Sequence, residues 1–85
     1  MDEDMSAHLL ELEQIGDEIA RLLGVEPWTV GVQIMYSIGD DNTSLWIMVG
    51  QRAAEIRPFS THDLLMNIDE FSERRLAPII AMGTL

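Results

Sequence analysis

The chain has no cysteine and only three prolines among its 85 residues, and it has no lysine at all. Without cysteine there is no disulfide framework, no thiolate nucleophile and no sulfur-ligated zinc site. Without lysine there is no Schiff-base amine and no ammonium to hold a phosphate, and no Gly-rich phosphate loop stands in for it. Positive charge is scarce altogether, since five arginines face fifteen carboxylates for a net charge of −10. Phosphate backbones are held by Lys and Arg that displace counterions, so direct nucleic-acid binding is disfavoured, and an anionic membrane surface is disfavoured for the same reason. No apolar run reaches the roughly 20 residues of a membrane span. The opening "MDEDMSAHLLELEQIGDE" is acidic where a signal peptide needs a basic start, so the expected location is cytoplasmic.

What is present is a foldable apolar pattern. Hydrophobic residues make up 47% of the chain and run along its whole length, which argues against disorder despite the charge. The expectation is a single small domain over residues 1–85, with 1–5 a disordered acidic start. At this size only about 60–70% of the unfolded chain's surface can be buried, so stability is modest. Residues 7–23 place Leu9, Leu12, Ile15, Ile19, Leu22 and Leu23 at three- and four-residue spacings, which predicts a helix capped by Ser6 and ended by Gly24 and Pro27. Gly16 lies close to its apolar face, where a missing side chain permits close approach of a neighbour.

From Trp28 to Ile38 the chain alternates, with Trp28, Val30, Val32, Ile34, Tyr36 and Ile38 on one side, as in a half-buried strand. "SLWIMVG" alternates as well, with Leu45, Ile47 and Val49 opposed to Trp46 and Met48, so the two runs predict an antiparallel hairpin. "AAEIRPF" predicts a third strand that Pro58 ends or confines to an edge. Ser60 and Thr61 start a second helix, with Asp63 at capping-box spacing and Leu64, Leu65, Ile68 and Phe71 on its apolar face. Pro78 makes "RRLAPIIAMGTL" either a kinked continuation or a separate turn that Gly83 ends. The predicted class is α+β: a small two-layer domain in the order α-β-β-(β)-α, with an antiparallel sheet and both helices packed on one face. The Trp28-to-Ile38 side would then meet Leu12, Ile19 and Leu65.

Candidate chemistry is thin. Gly39-Asp40-Asp41-Asn42 resembles the aspartate pair at the hairpin of nucleic-acid polymerases, which implies divalent metals, but such a site needs further carboxylates on a larger scaffold. The same residues are the ones a tight turn selects, and the turn is the expected reading. The spacing does not match a calcium-binding EF-hand loop. Ser60, Thr61, His62 and Asp63 include the residue types of a hydrolase, yet neighbours at a helix start point in different directions, so capping is expected. No catalytic residue, metal ligand or cofactor is predicted. A small enzyme using His62 and a carboxylate is the remotest alternative.

The surface offers more. Met35, Trp46 and Met48 fall on the strand side away from the predicted core, so they mark either a partner surface or a face that the apolar tail "LAPIIAMGTL" covers. Glu11, Glu13, Asp17 and Glu18 lie outside the apolar stripe of the first helix and are candidate contacts for a basic protein. Residues 1–26 carry a net −7, whereas residues 51–85 carry −1. In element order and acidity the first two-thirds resembles a type III secretion chaperone, which implies a homo-oligomeric structural or chaperone-like adaptor. As a small, acidic, Cys-free domain the chain is similar in class to phage-encoded anti-CRISPR and anti-restriction inhibitors and to nuclease immunity proteins. That similarity implies a non-enzymatic inhibitor of a basic nucleic-acid-handling protein, the leading expectation.

Overall fold

In the computed structural model, which describes residues 10–35 and 43–85, the helical spacing of Leu12, Ile15, Ile19 and Leu23 forms helix α1, Leu12–Leu23. Ile15 and Ile19 are wholly buried, and Leu12 and Leu23 pack at their margin. Glu11 stands at the N-cap. Gly24 ends the helix in the left-handed region at φ 71°, its amide donating to the Ala20 carbonyl, a conformation that glycine adopts without a Cβ penalty. The helix thus begins at Leu12 instead of continuing from residue 7, since Leu10 and Glu11 are not helical, and the expected Ser6 cap and acidic start lie outside the described residues.

Three antiparallel strands follow in sequence order: β1 Val30–Met35, β2 Ser44–Val49 and β3 Arg52–Ile56. Val30, Val32 and Ile34 stand opposite Val49, Ile47 and Leu45, so the apolar parities of the two runs share one face. A two-residue turn joins β2 to β3, since Val49 pairs with Arg52. Gly50 supplies its positive φ of 62°, which matches the twist of a tight hairpin. The third strand is therefore present, begins at Arg52 and occupies an edge.

Two expectations need correction. Trp28 is not a strand residue, because Pro27–Thr29 form a 3₁₀ turn. The fixed φ of Pro27 suits the first position of such a turn, and the Thr29 hydroxyl donates to the Glu26 carbonyl at 2.7 Å. Trp28 is consequently 82% exposed instead of packed in the core. Tyr36, Ile38 and the Asp40-Asp41 turn lie outside the described residues.

The second correction concerns the helix after Ser60, which is not continuous. Helix α2, Thr61–Leu64, begins with a capping box in which the Asp63 carboxylate accepts from the Ser60 amide at 2.8 Å and from its hydroxyl at 3.2 Å. The chain then breaks, and Asn67 caps helix α3, Ile68–Phe71, by accepting from the Glu70 amide at 2.8 Å. The break turns Leu65 to solvent and buries Met66 instead. Beyond Phe71 the helical path widens through a π-type turn, Ser72–Leu76, into α4, Ala77–Ala81. In the wide turn the Ala77 amide donates to the Ser72 carbonyl, five residues back, which eases the clash that a proline ring makes with the carbonyl four residues earlier. Pro78 thus sits in a continuation, and Gly83, at φ 78°, follows its end.

The core lies between the sheet and these helices, with Phe71, Ile15, Ile19, Leu45, Ile47 and Leu76 fully enclosed. Phe59 meets Phe71 edge-on, ring centroids 6.0 Å apart at 89°. Helices lie on one face of an antiparallel sheet, the α+β architecture expected. At the contact of α1 with β1, a Cβ on Gly16 would sit 3.6 Å from Val32 Cγ2 and 3.9 Å from Val30 Cγ1, which is ordinary contact distance. The helix therefore does not need glycine there. Gly16→Ala is expected to raise stability by about 0.5–1 kcal/mol through helix propensity, read as a higher urea midpoint. A fall in the midpoint would show that the contact is tighter than this geometry.

Candidate functional site

Alternation fixes the outer face of the sheet. Because Leu45 and Ile47 point into the core, Trp46 and Met48 project the other way, together with Gln33 and Gly31 opposite them on β1 and Glu55 and Ala53 opposite them on β3. Met48 lies over Gly31, its Cε 3.6 Å from where a Cβ would stand, which is ordinary contact distance. Trp46 lies between Gln33 and Glu55, and Glu55 pairs with Arg57 at 3.4 Å. Met35, Trp46 and Met48 are 42%, 37% and 41% exposed. The carboxyl-terminal segment packs Ile79, Ile80 and Leu85 against the buried cluster on the other side, and an Arg52 guanidinium nitrogen lies 3.4 Å from the Leu85 carbonyl. The tail thus runs alongside β3 and leaves the outer face uncovered.

The four carboxylates expected on one side of the first helix separate into different environments. Glu11, Glu13 and Asp17 are exposed and pair with no arginine among the described residues. Glu18 departs from the expectation, since its side chain is only 11% exposed. Its carboxylate receives Arg21 Nε at 2.9 Å and the Ser72 hydroxyl at 2.9 Å, tying α1 to the carboxyl-terminal helical path. A carboxylate one turn before an arginine reaches it easily, and Ser72 holds it inward. Glu18 is therefore a structural contact and a poor candidate for a partner.

Hydrogen bonding from Arg21, opposed by burial and aided by Ser72 and by the arginine's charge, lowers the Glu18 pKa below its ordinary 4.5. Since the folded pKa lies below the unfolded one, this contact stabilises the fold above about pH 4.5 and loses that contribution as pH falls through the folded value. Glu18→Gln is thus expected to lose less stability on acidification than the parent chain, in urea melts compared at neutral pH and below pH 4.5. Parallel pH profiles would contradict the assignment.

His62 is exposed in the first turn of α2, whereas its neighbour Asp63 is buried. The Asp63 carboxylate is committed to Ser60 and, at 3.5 Å, to Arg75 Nε. Arg75 also donates to the Pro58 carbonyl, so Asp63 and Arg75 anchor the loop after β3 to the last helices. Among the described residues no group of three or more His, Asp or Glu side chains is gathered as a metal would require. No described helix is long and apolar enough to cross a membrane.

One exposed aromatic escaped the sequence reading. Strand parity places Trp28 with the core, although Pro27 immediately before it is a turn signal that withdraws it from the strand. Its position just before β1 adds a second tryptophan to the surface of the sheet layer. No protein-family model, curated protein or solved structure matches this chain.

Proposed function

We propose that the chain is a non-enzymatic protein-binding module, an acidic inhibitor that holds a basic, nucleic-acid-handling protein and blocks its substrate channel. The observation that supports this reading is the exposed strip of Met35, Trp46 and Met48 on the outer sheet face. Contiguous apolar surface of this kind marks interaction sites, and Trp and Met are residue types that interfaces enrich. The charge of the partner is inferred from the carboxylates. The arginines at 21, 57, 74 and 75 are paired to acids, and Arg52 reaches the Leu85 carbonyl, while Glu11, Glu13 and Asp17 remain without a counter-charge among the described residues. Such a field steers a basic protein toward the chain, whereas two copies at −10 repel each other.

The test is capture of partners on the immobilised chain at two salt concentrations, with sedimentation of the chain alone. A basic protein should be retained at about 0.1 M salt and largely released near 1 M, where the screening length falls from roughly 10 Å to 3 Å. Retention indifferent to salt would contradict the electrostatic part of this reading. A stable oligomer of the chain that retains no other protein would replace it with the homo-oligomeric adaptor.

A further inference from the structure

The two edges of the sheet differ. β3 contains Arg52 and Glu55, is followed by Pro58, and has Pro78 and Ile79 of the last helix beside Ile56. Charges, proline and a covering helix are how sheets protect an edge from further pairing. β1, VGVQIM, has no charge, no proline and no bulge in its register with β2.

The backbone groups that this edge offers can be assigned. The Gly50 amide donates to the Thr29 carbonyl at 3.3 Å, and the register continues Thr29 opposite Gly50. Hydrogen-bonded pairs alternate along an antiparallel ladder, so Gly31, Gln33 and Met35 turn their backbone toward β2 while Val30, Val32 and Ile34 turn theirs outward. The Val30 amide closes the turn before the strand by donating to the Pro27 carbonyl, and among the described residues nothing hydrogen-bonds to the Val30 carbonyl or to the outward groups of Val32 and Ile34. Beside them, α1 and β1 enclose an open cleft with Leu12, Pro27, Val30 and Val32 in its walls and Glu13 and Asp17 on its rim. Glu13 and Asp17 are one turn apart on the exposed side of α1.

We infer that the β1 edge receives an extended basic segment of the partner, which adds as a fourth strand beside β1. Its backbone pairs with Val32 and Ile34 and with the Val30 carbonyl. Its alternate side chains on the helix side are Arg or Lys, whose stems cross the apolar wall and whose charges meet Glu13 and Asp17. Those on the other side are apolar and prolong the Gly31 and Met35 side of the outer face. A second copy of this chain is a poorer occupant, because a symmetric β1 pairing brings two sets of Glu13 and Asp17 to one seam. The inference rests on the proposed basic partner and specifies the shape of the segment that binds.

The probe is an acetylated eight-residue peptide alternating valine and arginine, added to the intact chain while amide exchange is followed by NMR. The amides of Val32 and Ile34 are expected to slow by roughly tenfold or more at saturation. The same peptide N-methylated at alternate amides should give no protection. The double variant Glu13→Gln, Asp17→Asn should bind the unmodified peptide roughly three- to tenfold more weakly, as two exposed ion pairs predict. Equal binding of the N-methylated peptide, or protection at these amides that already grows with protein concentration before peptide is added, would overturn the proposal. Perturbation confined to Trp46 and Met48 would overturn the edge site and leave the outer-face reading standing.

Discussion

Phe71→Ala is expected to remove about 3–5 kcal/mol of folding stability. Phe71 is fully enclosed, stands edge-on to Phe59 and closes the helix that Asn67 starts. Its neighbourhood joins distant parts of the chain, because the Phe59 amide donates to the Thr43 carbonyl at 2.7 Å just before β2. Removing the ring leaves a cavity that the surrounding Ile15, Ile19 and Leu76 cannot fill without shifting the helices. Domains of this kind hold only about 5–15 kcal/mol in total, so the variant should be largely unfolded in dilute urea or well below the parent's melting temperature. An unfolding free energy from urea melts within about 1 kcal/mol of the parent's would mean that the layers are held elsewhere.

Trp46→Ala should behave in the opposite way. The ring lies on the outer face between Gln33 and Glu55 and belongs to no enclosed cluster, so its loss forfeits cross-strand contacts worth about 1 kcal/mol or less. Toward a partner the expected effect is much larger. Aromatic anchors at the centre of an interface commonly cost 2 kcal/mol or more on truncation, which corresponds to roughly 30-fold weaker binding. The two substitutions form a contrast between a core ring and a surface ring. Urea melts should rank them one way and binding measurements the other.

Much of the fold was legible because local period and tertiary burial agree. Leu12, Ile15 and Ile19 repeat at helical spacing and are buried at it, while Leu45 and Ile47 alternate with Trp46 and Met48 and are buried accordingly. Gly24 and Gly83 announce the ends of helical segments, and both take positive φ, as does Gly50 in the β2–β3 turn, which the sequence reading does not anticipate. Periodicity misleads where it runs past a punctuating residue. Trp28 fits the strand parity but follows Pro27, and Leu65 fits the helical face but precedes Asn67. The Asn67-to-Glu70 spacing is itself a cap signal, with Asp69 and Glu70 in the first turn that follows. Glu18 could not be placed from sequence, because its burial depends on Ser72, fifty-four positions away. The β1 edge was equally hidden, since strand order decides which strand is left unpaired.

The central claim is that the Met35, Trp46 and Met48 face is where another protein sits. Its most direct test is the affinity of the captured partner for the Trp46→Ala chain against the parent, measured by isothermal titration at one salt concentration where both chains are folded. The account predicts affinity weakened by roughly 30-fold with the fold retained. Equal affinities would contradict it and remove the outer sheet face from the binding surface.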